Sequence, residues 1–379
     1  MLSEWLRLGD EFGPEKVVLI EEPSVSLRAM VVVDNTAAGR AIGGVRMAPD
    51  LTVKEIARLA RAMTLKNVAA GLPHGGAKSG IIADPGMASD EKEVLIRAFA
   101  RAIETMVDYI PGPDMGLDET SMACIADEIG RAVGLPAVMG GLPLDTLGAT
   151  GFGVAVAAEE CEPYCGVSLQ GARVVVQGFG AVGTHAARFL AERGAVMVGV
   201  SDSRGGTANP DGLDLEKLLE WKASRNPVGE FAGGSAIGHA ELIGLECDVW
   251  IPAARPDVLT EANAHEVKAK VIVCGANIPA TAAAERILAE RGIVLVPDFI
   301  ANAGGVICAA VELAGGTAAQ AFATIEDRVR TNVRAVLESS RRAQMPPRAA
   351  AEELAIGRLR EAMSYGRRYR RSTAGVLRP

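Results

Sequence analysis

The chain has 379 residues, 49% of them hydrophobic and 23% charged, the mix of a globular protein large enough for more than one core. Its 39 basic and 47 acidic residues give a net charge of −8, and aromatics are scarce at 3 Trp, 4 Tyr and 8 Phe, which argues against nucleic-acid binding and carbohydrate platforms. The most apolar stretch, Ala132 to Ala158, is broken by Pro136, Pro143, Asp145 and several glycines, so no membrane span is expected.

In chain order, the N-terminus (MLSEWLRLGDEFG) has acidic residues where a signal peptide would carry a basic and then an apolar block. Val17 to Ile20 and Leu27 to Asp34 are rich in β-branched residues and read as strands. Thr52 opens a helix, with Glu55 placed to complete a capping box, and Gly71 and Pro73 stop it. A second helix starts after Ser89 and Asp90. Its apolar pairs step by four as far as Met106/Val107, and it ends before a turn at Pro111-Gly112-Pro113. From Val133 to Gly153 charges nearly vanish and glycine and proline become frequent, which marks a crossing between domains.

Beyond it the chain takes up the strand, glycine turn, helix rhythm of a doubly wound sheet. Arg173 to Gln177, Val196 to Val200, Asp248 to Ile251, Lys270 to Cys274 and Ile293 to Val296 read as strands. Val182 to Arg193, Leu213 to Trp221 and Thr281 to Arg291 read as helices. After about residue 325 the pattern is helical and charged. The expected architecture is therefore two α/β domains. Residues 1–140 form a mixed-sheet substrate domain and 141–329 a Rossmann dinucleotide-binding domain, with helices of 330–379 packing back on the first. The basic cluster Arg367, Arg368, Arg370 and Arg371 reads as a solvated tail or a subunit contact. Six cysteines without a CxxC pair read as reduced, mostly buried thiols of a cytoplasmic protein. Four histidines, none in a ligand pair, leave no metal site.

Gly178-Phe-Gly180-Ala181-Val182-Gly183 is a GxGxxG between a strand and a helix, the context in which the motif binds a dinucleotide. The first glycine permits the tight turn, the second lets a pyrophosphate approach backbone N–H groups, and the third lets helix and strand pack closely. Asp202 ends the next strand, where it would bond an adenosine ribose and favour NAD. Ser201, Ser203 and Arg204 stand beside it and would instead suit the 2′-phosphate of NADP.

The densest chemical signal is the run from Met63 to Gly80, where Lys66 and Lys78 are joined by small residues. Lys66 flanks the apolar face of its helix, and Lys78 reads as part of a glycine-lined loop. Two neighbouring ammonium groups would depress at least one pKa. Asp114 follows in Pro113-Asp114-Met115-Gly116. Taken singly, a lysine is usually a solvated charge and such an aspartate a turn residue.

Together these stretches resemble a known family, the glutamate/leucine/phenylalanine/valine dehydrogenases. The resemblance is carried by Gly43-Gly44-Val45-Arg46, the Met63 to Ile81 run, Pro113-Asp114-Met115-Gly116, Ala149-Thr150-Gly151, the Gly178 to Gly183 turn, Gly275-Ala276-Asn277 and Asn302-Ala303-Gly304-Gly305. It implies oxidative deamination of an L-amino acid to a 2-oxo acid and ammonium, with hydride passing to NAD or NADP, in a homo-oligomer such as a hexamer or octamer. By the same resemblance Lys66 anchors the substrate α-carboxylate, Lys78 is the catalytic lysine and Asp114 shuttles protons. Gly43 and Gly44 border the substrate, and Thr150, Asn277 and Asn302 contact the nicotinamide half. Acid–base groups and cofactor then lie on different domains, which implies closure about hinges at Gly134 to Gly153 and Gly304-Gly305.

Glutamate enzymes of the family hold the side-chain carboxylate with a lysine just before Gly-Gly-x-Arg and a serine after Asn-Ala-Gly-Gly. Here those positions are Ile42 and Ala309. Neither offers a charge or a hydroxyl, so an apolar or aromatic amino acid is the expected substrate. The loops LPHGGAKSGI and PGPDMG and the VSDSRGG turn resemble the glutamate branch instead, which keeps NADP-linked glutamate oxidation as the alternative. A silent nucleotide-binding regulator is the other.

Overall fold

The computed structural model describes residues 8–366, so the arginine cluster at 367–371 lies outside the described residues. Two compact units share the chain. The first takes in the chain up to Pro143, Val306–Ala321 and the chain from Leu354; the second takes in Leu144–Gly305 and Phe322–Glu353. The C-terminal stretch expected to return as a whole to the first domain is thus divided, because its long helices each run through a unit boundary.

Unit 1 holds a five-stranded sheet in the order β1-β2-β4-β3-β5, from β1 (Lys16–Glu22), β2 (Leu27–Asn35), β3 (Ala41–Met47), β4 (Gly75–Ile81) and β5 (Tyr109–Pro113). β1 and β2 run antiparallel to their neighbours, whereas β3 is parallel to both β4 and β5. One face packs on α2 (Ser89–Ala102) and α3 (Glu119–Ile129) through Ala41, Val45, Phe99, Ile103, Met122 and Ile125. The other lies under α1 (Val53–Ala69), where Ile56 and Ala60 meet Met30 and Val32.

Three sequence expectations change here. Gly75 to Ile81 is not a loop but a strand buried along its whole length. Its glycines hide it from a propensity reading, yet they let a helix lie on it: a Cβ on Gly76 would overlap the Thr64 backbone, and one on Gly80 would stand 2.8 Å from Leu51. Pro111-Gly112-Pro113 is likewise no turn but the end of β5. β5 is an edge strand, where a residue without an N–H is tolerated, and α2 stops at Ala102, short of Val107. The capping box at Thr52 is half made. Thr52 accepts from Glu55 N at 3.2 Å, while the Glu55 carboxylate turns to Arg46.

Unit 2 holds seven strands in the order β12-β11-β10-β6-β7-β8-β9. β6 (Arg173–Gln177), β7 (Val196–Asp202), β10 (Val249–Pro252), β11 (Val271–Val273) and β12 (Val294–Val296) are parallel and buried, matching the expected strands to within two residues. β8 (Gly205–Ala208) and β9 (Ser235–Ile237) extend the sheet antiparallel and carry too few apolar residues to announce themselves in the sequence. Covering helices include α4 (Ala149–Glu160), α5 (Ala181–Ala191), α6 (Leu215–Ala223) and α7 (Ala282–Glu290). α8 (Gly304–Leu313), α9 (Ala318–Ala343) and α10 (Pro347–Tyr365) complete the chain.

Gly151 and Gly153, read from sequence as hinge glycines, sit inside the buried helix α4. A Cβ on Gly151 would stand 2.6 Å from Ala186 N, and one on Gly304 would overlap the Ala149 carbonyl, so close packing calls for glycine at 151 and 304. Among the described residues no helix is long and apolar enough to cross a membrane.

Candidate active site

Side chains alternate along a strand. Gly76, Lys78 and Gly80 of β4 therefore project to the α1 face, as do Ile42, Gly44 and Arg46 of β3, which pairs with β4 at Val45↔Ser79. On that face Lys78 Nζ lies 3.0 Å from Asp114 Oδ2, and Arg46 Nε donates to the same oxygen at 2.7 Å. Arg46 also reaches Glu55 on α1 at 3.0 Å. Burial pushes the Lys78 ammonium below its ordinary pKa; Asp114 draws it back up, and Arg46 pushes it down again. Burial alone would raise the Asp114 carboxyl, but Lys78 and Arg46 outweigh it and hold the acid below the usual carboxylate value.

A cation acting on Lys78 is thus Arg46. Arg46 went unassigned because β3 was not recognised as a strand; that alternation would have placed it on the same side as Gly44. Lys66 is half-buried in the last turn of α1, the helix that covers this face. Ile42 is 3% exposed and Ala309, on α8, 6%.

The glycines here serve close approach. A Cβ on Gly43 would overlap the Ala77 carbonyl. Behind them, Tyr109 Oη donates to Gly43 O at 3.0 Å and lies 2.7 Å from Ser79 Oγ, tying three strands together next to Lys78. Neither Tyr109 nor Ser79 had a sequence signal.

In unit 2 the glycine turn follows β6, whose neighbours are β7 and β10; at this reversal of strand order the ends of parallel strands leave a crevice. Gly178 has φ +97°, a Cβ on Gly180 would meet nothing within 4 Å, and one on Gly183 would overlap Gly178 O. α5 starts at Ala181, so its free N–H groups, with the positive end of its dipole, face that opening. Ala181 and Val182 share a small depression with Gly148 and Thr150.

Asn302 Nδ2 donates to Asn277 Oδ1 at 2.9 Å and to Gly275 O at 3.1 Å, which brings the two asparagines together. Asn302 Oδ1 is buried without a hydrogen-bond partner, an acceptor suited to an amide-bearing ligand. The open glycine, the helix terminus and this acceptor together fit a dinucleotide.

Asp202 is held by three hydrogen bonds of its own. Its Oδ2 accepts from Lys222 Nζ at 2.6 Å and from Val228 N at 3.2 Å, and its Oδ1 from Arg204 N at 2.9 Å. Among the described residues no group of three or more His, Cys, Asp or Glu is placed to hold a metal ion.

Two family models cover the chain: Glu/Leu/Phe/Val dehydrogenase, dimerisation domain, over residues 16–131, and Glutamate/Leucine/Phenylalanine/Valine dehydrogenase over 140–366. The chain is 39% identical to a glutamate dehydrogenase of Aeropyrum pernix over 87% of its own length and 84% of the relative's. It is 39% identical to an NADP-specific glutamate dehydrogenase of Saccharolobus shibatae, over 87% and 82%, and 38% identical to an NAD-specific one of Staphylococcus aureus, over 87% and 84%.

Among solved structures it is similar to the hetero-hexameric glutamate dehydrogenase of Thermus thermophilus in its Leu-bound form, with a TM-score of 0.84, 32% identity and coverage of 96% and 91% of the two chains. L-tryptophan dehydrogenase of Nostoc punctiforme gives a TM-score of 0.74 at 26% identity, over 96% and 99%. With the paired lysine and aspartate on one sheet and the glycine turn on the other, the chain belongs to the Glu/Leu/Phe/Val dehydrogenase family, oxidoreductases that act on amino acids with NAD(P).

Proposed function

We propose that this dehydrogenase oxidatively deaminates an apolar or aromatic L-amino acid to its 2-oxo acid and ammonium. The observation that carries the choice is the pair Ile42 and Ala309, both buried and neither able to bond a side-chain carboxylate. A glutamate carboxylate desolvated there without a partner would cost several kcal/mol, more than the roughly 1–3 kcal/mol that separates apolar side chains by shape.

Lys66 anchors the substrate α-carboxylate, with Gly43 and Gly44 giving the backbone room to approach. When bound, the nicotinamide accepts the hydride that leaves Cα. Gly178, Gly180, Ala181, Val182 and Gly183 hold the pyrophosphate, Asp202 borders the ribose, and Thr150, Asn277 and Asn302 hold the nicotinamide half.

Lys78, already displaced toward its neutral form, takes a proton from the water that adds to the iminium carbon. As ammonium it then stabilises the oxygen that forms. Asp114, 3.0 Å away, moves protons between that water, the carbinolamine and the leaving amine. Arg46 keeps Asp114 ionised and aimed. A nucleotide-binding regulator would have no use for this proton-transfer set.

One observation favours a second reading. The most similar relatives above are named glutamate dehydrogenases, one of them NADP-specific. Initial rates with leucine, valine, phenylalanine, tryptophan and glutamate, each with NAD and with NADP, decide between them; a highest kcat/KM for glutamate would remove the apolar reading. Lys78→Ala should lower kcat by roughly 10²–10⁴-fold while the nucleotide still binds, and undiminished turnover would take Lys78 out of the mechanism. Six free cysteines suit a reducing, cytoplasmic setting. The matched dimerisation domain favours a homo-oligomer such as a hexamer or octamer, which sedimentation would measure.

A further inference from the structure

The turn after β11 is strained. Ile278 has φ +49°, a left-handed conformation that costs a β-branched residue dear and that glycine or asparagine would adopt freely. Such a residue persists only where its surroundings over-determine it. Here the Ile278 amide donates to Asp298 Oδ2 at 2.9 Å. Its carbonyl accepts from Asp257 N at 2.9 Å, and Asp257 is itself left-handed at φ +53°. Asp298 in turn accepts from Arg348 Nη2 at 2.9 Å, and Arg348 is gripped on its other side by Glu285 at 2.6 Å. Asp298 and Glu285 are both buried.

The strain sits beside the asparagine pair. Asn277 precedes Ile278 and accepts from Asn302, whose backbone N–H donates to Asp298 O at 2.7 Å. One aspartate thus touches Ile278, the residue after Asn277, through its side chain and Asn302 through its backbone.

We propose that Asp298, fixed by Arg348, is a positioning residue that keeps Ile278 in its left-handed turn and so aims the Asn277–Asn302 amide pair, with the unpartnered Asn302 Oδ1, at a nicotinamide carboxamide. This rests on the reading of unit 2 as the dinucleotide site. The exposed Ile278 side chain, at 41%, makes its replacement safe for folding.

The test titrates wild type, Ile278→Gly, Asp298→Asn and the double variant with NADH and NADPH, following nucleotide fluorescence, and records thermal unfolding of each. Asp298→Asn should bind the preferred nucleotide roughly three- to thirtyfold more weakly, the range that indirect coupling reaches. Ile278→Gly, which takes up the left-handed turn unaided, should keep wild-type affinity with an unchanged or higher Tm, and adding it to Asp298→Asn should restore binding. Wild-type affinity in Asp298→Asn overturns the proposal, as does a double variant that binds no better than Asp298→Asn. If Asp298→Asn fails to fold, Arg348→Lys, with and without Ile278→Gly, is read in the same way. A wild-type chain that binds neither nucleotide overturns the dinucleotide reading itself, and the inference with it.

Discussion

Gly44 and Lys78 face each other across paired strands so closely that a Cβ at position 44 would stand 3.1 Å from Lys78 Nζ and 2.8 Å from Asp114 Cβ. The missing side chain is what lets ammonium and carboxylate meet. Gly44→Ala should therefore cost about 1–3 kcal/mol of stability by overpacking. It should lower kcat more severely, by roughly 10²-fold, because displacing a catalytic group by about 1 Å has that effect. Kinetics beside thermal unfolding would check this, and an alanine variant with normal kcat would show that the contact does not matter to turnover.

The Lys78–Asp114 pair also sets the pH dependence. Since Lys78 must be neutral to take a proton, kcat should rise with pH, with its midpoint below 10.5. Arg46 lowers both groups, so Arg46→Met should move that rise to higher pH. Stability follows the same shifts. Asp114, lowered in the fold, contributes stability above its unfolded value of 3.8 that is lost as pH falls through its folded value. Lys78, also lowered, carries a penalty that is complete below its folded value and is relieved as pH climbs toward 10.5. A Lys78→Met variant should lose that alkaline gain in denaturant titrations.

Substrate choice should respond to the two buried apolar positions. Ile42→Lys with Ala309→Ser supplies a charge and a hydroxyl, and is expected to shift the ratio of kcat/KM for glutamate over leucine upward by at least roughly 10²-fold, about 2.7 kcal/mol. Unchanged preference in the double variant would mean that the side-chain pocket lies elsewhere.

Cofactor choice should depend on Lys222. Its ammonium, 2.6 Å from Asp202, cancels the charge that would repel a 2′-phosphate. Lys222→Met should thus raise the NAD-over-NADP ratio of kcat/KM by roughly tenfold, about 1.4 kcal/mol. A shift toward NADP would contradict the assignment of Asp202 to the ribose.

Much of this was legible in one dimension. The parallel strands of unit 2 are short apolar runs between glycine turns, and that pattern needs no tertiary information. β4 was not legible, because Gly75, Gly76 and Gly80 carry no strand propensity and their reason for being there is the helix laid across them. β5 was missed for a related cause: its prolines read as a turn until the strand is known to lie at an edge.

What the sequence determined by itself is chemical identity: which residues carry charge, where the backbone is bare, and so the family and the class of reaction. Local order along the chain suffices for that, since glycine turns and helix starts depend on near neighbours. Only the tertiary structure decided which groups act on one another. Arg46 tunes Lys78, Lys222 occupies Asp202, and Asp298 holds a strained isoleucine, because each pairing joins residues remote in sequence, and strand register and burial, not spacing, set the distance and the dielectric between them.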